Sequence, residues 1–311
     1  MTSLLSLITP TNLAKEKAKF MNSSTYHPIF RYIWHDEPVE PVFKNTGKYA
    51  LWEAIKVQDH DAIVRAASKF FEVDINYDVL ELAKNASQVK GIVSHGSAQG
   101  YRDLMRDALD SFGLTDITLT ISSDHGFNVR PNHHDKIILI SEHIHFEYFS
   151  MEGSVTHEVA HIIRHRNGKY NKIKRSQNYL PTEEGLASWC QDNTNDDNGL
   201  AQHAMEYIAS SVGVKASLRE TFNALCDLGM SKELAWKRVS RHKFGFVDTS
   251  LPGDILKPAM YFANEIKVGQ LSPGEKLRLF VGKISMNNLE DHPTYTGLWP
   301  ADQITEFFHL K

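Results

Sequence analysis

The chain has 311 residues, 41% hydrophobic and 23% charged, an ordinary globular composition that suits one large domain or two closely packed ones. Its net charge of −4 gives the whole molecule no reason to seek nucleic acid or an anionic membrane. The two cysteines, Cys190 and Cys226, are too few for a disulfide scaffold and point to a reduced, cytoplasmic setting. No apolar run reaches the roughly 18 residues of a membrane-spanning helix. The short apolar run inside Met1 to Pro10 lacks the preceding basic residue and following cleavage site of a signal peptide.

In chain order, residues 11–22 read as a first helix, with Thr11 or Asn12 able to cap it. Residues 22–44 hold Pro28, Pro38 and Pro41 among Tyr26, Phe30, Tyr32 and Trp34, which predicts an irregular segment packed by its aromatics. Helical patterns follow at 48–57, 60–71, 77–88 and 99–112, and Gly113 stops the last. The period then changes to alternation. Strands are expected at 117–121, 126–130 and 136–140, with a turn over 131–135. Ser141 is placed to cap a long helix reaching about Arg166, where Asn167 and Gly168 would end it. A basic loop follows with Lys169, Lys172, Lys174 and Arg175, explained either by cations favoured near a helix C-terminus or by attraction of an acidic peptide. Thr182 reads as the cap of the next helix. Further helices are expected over 197–212, 215–228, 231–241, 254–267, 274–281 and 302–310.

The long helix carries Thr156-His157-Glu158-Val159-Ala160-His161. Histidines four apart lie about 40° apart around a helix axis, so both imidazoles can reach one metal ion. Glu158 lies about 100° from His157, able to hold a water on that metal without ligating it. Val155, Val159, Ile162 and Ile163 form an apolar stripe, with His143, Glu147, Ser150, Ser154, His157 and His161 on the other side. A catalytic zinc site needs a third protein ligand. Glu183 and Glu184 supply candidates, and neighbours about 100° apart cannot both face the metal. Glu184 is the choice, opposite Leu186 and Cys190, with Glu183 in reserve. Gly185 permits close helix approach. Zinc brings water to a pKa of roughly 7, and Glu158 would take its proton as it attacks a carbonyl. A regulatory protein that merely bound the metal would have no required use for Glu158.

Four further side chains can complete such a site. Tyr261 can donate to the developing oxyanion, or be a core tyrosine. A substrate carboxylate would need a cation to hold it, and Arg130 and Lys257 are the candidates. Arg164 can orient a group behind the ligands or form an ordinary ion pair. His125, His133, His134, His143, His145 and His165 crowd the region without a specific spacing.

These residues resemble a known family. H-E-V-A-H-I-I-R at 157–164, N-G at 167–168 and T-E-E-G-L-A at 182–187 are similar to the atypical zinc-peptidase family of the microtubule-associated tyrosine carboxypeptidases and their bacterial relatives. N-L-A-K-E-K-A-K-F and Y-H-P-I-F-R-Y within 12–32, F-V-D-T-S-L-P-G at 246–253 with Lys257 and Tyr261, and F-V-G-K-I at 280–284 extend the likeness over most of the chain. The resemblance implies one zinc ion held by His157, His161 and Glu184, Glu158 as general base, and removal of a residue from a peptide or protein C-terminus. The family usually has three residues between the glutamate and the second histidine. This chain has two, the spacing of ordinary zinc peptidases, which suits metal binding. The family's tubulin substrate is not carried over, because nothing in the sequence shows a microtubule-binding surface. The expectation is an α+β, mostly helical zincin-like metallopeptidase with a small sheet before the histidine helix. An N-terminal helical region over 1–113 would pack on a catalytic domain over 114–311, with no nucleic-acid or membrane partner.

Overall fold

A computed structural model of the chain describes residues 3–37, 39–41, 43–44, 46–87, 96–123, 128–132, 135–144, 150–194 and 199–310. Pro38, His125, Gly126, Phe127, His133, His134, His145 and Glu147 lie outside them, as do residues 88 and 197–198 of two expected helices. The chain is mostly helical with one three-stranded sheet, an α+β architecture. It divides into two compact units, each assembled from two stretches of sequence. One is Met1–Ser87 with His203–Ala263, the other Gln88–Gln202 with Asn264–Lys311. No helix among the described residues is long and apolar enough to cross a membrane.

In the first unit the aromatic segment is packed as its composition predicts. Phe30 and Tyr32 are fully buried, and Trp34 stacks on Tyr32 with ring centroids 5.4 Å apart. The first of the expected helices is Leu13–Met21. Asn12 precedes it but makes no cap bond. Its side chain instead donates to Ile29 O and accepts from Arg31 N, tying the helix to the aromatic segment. A buried polar cluster surrounds His242. Its Nε2 lies 2.7 Å from Glu206 and its Nδ1 2.8 Å from Asp254, while Arg238 pairs with the other oxygen of Glu206 at 3.1 Å.

The second unit holds helix α1 (Ala98–Ser111), strands β1 (Thr118–Ser122), β2 (Val129–Asn132) and β3 (Ile137–Ser141), and helices α2 (Met151–Tyr170) and α3 (Tyr179–Asp192). Gly113 takes φ +65° just after α1, the left-handed stop expected there. The central strand is β3, parallel to β1 and antiparallel to β2. Pro131 and Asn132 belong to β2 rather than to a turn. Proline is tolerated because β2 is an edge. Ile138 and Ile140 of β3 join Val155, Val159, Ile162 and Ile163 of α2 in one apolar core.

The ends of α2 and α3 differ from expectation. Ser150, not Ser141, caps α2, its hydroxyl accepting from Gly153 N, whereas Ser141 ends β3. His143 accordingly precedes the helix instead of sharing its polar side. Asn167 and Gly168 do not end α2. Asn167 is buried, donating to Phe280 O and accepting from Leu298 N, and these contacts carry the helix to Tyr170. Thr182 lies inside α3 and is no cap. Its hydroxyl accepts from Met286 N. Both are cases of tertiary bonding claiming a polar side chain that local rules assign to a helix end.

Candidate metal centre

The i, i+4 spacing on α2 sets the His157 and His161 rings 4.9 Å apart at 78°. α3 makes its main packing contact with α2 and brings a carboxylate between the two rings. Glu184 Oε2 lies 3.7 Å from His157 Nε2 and 3.6 Å from His161 Nε2. Both separations exceed hydrogen-bond length. The three donor atoms all lie within 4.8 Å of one another. A tetrahedral ion with bonds of about 2.0–2.1 Å spaces its ligands about 3.3 Å apart, so a small contraction brings the three onto one ion. Two imidazole nitrogens and one carboxylate oxygen form a donor set that suits zinc and leaves a fourth position.

The electrostatics favour a cation at this point. Burial disfavours a charged His161, yet Glu183 and Glu184 outweigh burial and raise its pKa to about 10. A metal ion satisfies the same demand for positive charge when it displaces the proton. Glu158 is half-buried on the same helix. Burial pushes its carboxyl above the usual range and Glu184 adds to the rise, while His157 and His161 oppose it.

Behind His161 stands a second layer of bonds. Its Nδ1 lies 2.9 Å from Glu183 Oε1, and Lys283 Nζ reaches the same oxygen at 2.6 Å. Arg164, fully buried, donates to Glu183 Oε2 at 2.6 Å, and its remaining N–H groups reach the carbonyls of Leu279, Gly282 and Ile284. Burial alone would keep Glu183 protonated. Arg164, His161 and Lys283 reverse that and hold it well below the ordinary carboxylate range. Glu183 therefore faces the rear of His161, whereas Glu184 faces both Nε2 atoms. His157 Nδ1 is buried and makes no hydrogen bond among the described residues.

Gly185 makes a close approach, though not to α2. A Cβ there would lie 2.7 Å from the carbonyl carbon and oxygen of Asn264. The other sequence candidates are not joined to the histidine cluster by any described contact. Arg130 is exposed on β2, in register with Leu139. Lys257 and Tyr261 belong to the first unit, where Lys257 Nζ donates to Tyr261 Oη at 3.2 Å and Tyr261 stacks on His203. Sequence reasoning missed Lys283. It lies 122 residues beyond His161, and its only signal was the F-V-G-K-I likeness.

No family model matches the chain. It is 23% identical over 311 residues to microtubule-associated tyrosine carboxypeptidase 1 of Rattus norvegicus, covering 92% of this chain. The Homo sapiens protein of that name is 23% identical over 98% of this chain. "Putative tyrosine carboxypeptidase MATCAP2" of Mus musculus is 26% identical over 92%. The chain spans 61%, 64% and 55% of these relatives' lengths, respectively.

Proposed function

We propose that the protein is a zinc-dependent peptidase of zincin-like construction that removes residues from the C-terminus of a peptide or protein. The convergence of His157, His161 and Glu184 donor atoms within 4.8 Å, with Glu158 on the same helix, carries this reading. The names of its relatives support the carboxypeptidase direction. When bound, zinc supplies Lewis acidity that polarises a carbonyl and acidifies water. His157 and His161 hold it through Nε2 and Glu184 through a carboxylate oxygen. Glu158 takes the proton of the attacking water on its carboxylate and passes it to the leaving amine. Its raised pKa brings it nearer the neutral range where a carboxylate can both accept and return a proton. Glu183 keeps His161 aimed, and Arg164 and Lys283 keep Glu183 ionised. The segment 114–311 carries this machinery, with Arg130 on β2 as carboxylate anchor.

The test is incubation of wild type and Glu158→Gln with a mixed peptide library, reading termini by mass spectrometry. Wild type should shorten peptides from the C-terminus. Glu158→Gln should keep zinc and lose activity about 10²–10⁴-fold. Internal cuts alone would remove the carboxypeptidase reading, and undiminished activity in Glu158→Gln would remove the mechanism.

A further inference from the structure

The last turn of α2 meets a distant segment backbone to backbone. A Cβ on Gly282 would lie 3.0 Å from the Gly168 Cα. The loop after α2 is then pinned to that segment. Ser176 N donates to Lys283 O at 3.1 Å and Asn171 Nδ2 to Val281 O at 2.9 Å, while Ile173 N folds the loop back onto Gly168 O of α2 at 2.9 Å. Between loop and segment lies a cavity of about 330 Å³ lined by Lys169, Lys172, Lys174, Arg175, Lys283 and His165, with no carboxylate in its lining. Lys283 is neutralised by Glu183. Lys169, Lys172 and Lys174 make no ion pair among the described residues, and Arg175 lies over the Tyr179 ring at 4.8 Å. Attraction to the helix C-terminus accounts for Lys169 alone, because that effect fades within the last turn. Burial, with Lys169, Lys283 and Arg175 adding to it, lowers His165 to about 4, as a cavity of positive potential would.

We propose that this cavity binds a small, multiply charged phosphate anion. The cations line one partly open pocket whose volume of about 330 Å³ suits a compact ligand better than an extended acidic peptide. Ammonium groups act on phosphate as point charges and need no planar partner. The volume falls at the small end of the range for ligand pockets. The pocket shares Arg164 and Lys283 with the shell behind His161 but includes none of the three donors His157, His161 and Glu184, and the proposal stands whether or not the protein is a peptidase.

The experiment is calorimetric titration of inorganic pyrophosphate into the full chain at low salt. Wild type should bind saturably. Lys172→Ala/Lys174→Ala should weaken binding about tenfold, since it removes two exposed charge contacts, each worth up to about fivefold. Both side chains are exposed, so the variant should fold. Lys172→Arg/Lys174→Arg should bind nearly as wild type does. His157→Ala should also bind normally, which separates this cavity from a metal-held anion. The proposal is overturned by absence of saturable binding, by wild-type affinity in Lys172→Ala/Lys174→Ala, or by loss of binding in His157→Ala. Tighter binding of a polyglutamate peptide than of pyrophosphate, abolished by the same alanine pair, would make the surface a peptide site and overturn it too.

Discussion

Arg164 Nη1 donates a 2.6 Å hydrogen bond to Glu183 Oε2, and both residues are buried. Burying two charges is tolerable only while they stay paired. Replacing Arg164 by Met should therefore leave Glu183 without its principal counter-charge and cost about 3–5 kcal/mol. Urea unfolding of the metal-free protein measures it, and a loss under about 1 kcal/mol would contradict the pairing's structural role.

The two adjacent glutamates should differ in their effect on metal. Glu183→Gln keeps the side-chain volume but weakens the hold on His161, and zinc affinity should fall about 10–100-fold. Glu184→Gln should weaken it further, because it alters the donor itself. Competition with a chelating dye ranks the two variants. The opposite ranking would make Glu183 the ligand.

Gly185→Ala should be costly despite being a small change at a helical position. The added methyl would stand 2.7 Å from the Asn264 carbonyl, backbone that cannot swing aside. Overpacking of this kind costs about 1–3 kcal/mol. A drop in melting temperature is expected. A rise, as helix propensity alone would give, would show that the contact is absent in solution.

Stability of the first unit should have two pH limits. Burial opposes a charged His242, but Asp254 and Glu206 outweigh it and raise its folded pKa to about 9. That contribution is complete below the unfolded value of 6.5 and is lost as pH rises through about 9. Burial likewise opposes ionised Glu206, yet Arg238 and His242 lower its pKa to about 2. Its contribution is present above 4.5 and lost as pH falls through about 2. Melting temperature should fall at both ends. In His242→Gln the alkaline decline between about 6.5 and 9 should flatten, and an unchanged alkaline limb would refute its origin.

The legible parts of this molecule are those written in local periodicity. The i, i+4 histidines, the apolar stripe of Val155, Val159, Ile162 and Ile163, the alternation of β1 and the apolar run of β3 each need only a few neighbouring residues to be recognised. The ends of α2 and α3 were not legible. Asn167-Gly168 has the letters of a stop, but Asn167 bonds Phe280 and Leu298, more than a hundred residues away. The work of Glu183 was hidden for the same reason, since its partners Arg164 and Lys283 come from opposite sides of it in sequence. Contact order, not composition, separates what could be read from what could not.

The acceptors of Arg164 lie at Leu279, Gly282 and Ile284, far downstream of α2. During synthesis, therefore, α2 emerges from the ribosome with a guanidinium whose carbonyl partners have not yet been made. The histidines can meet a metal ion early, but the shell behind His161 closes only after roughly another hundred residues have been translated. The nascent chain must keep that cation solvated, or guarded by a chaperone, throughout this interval.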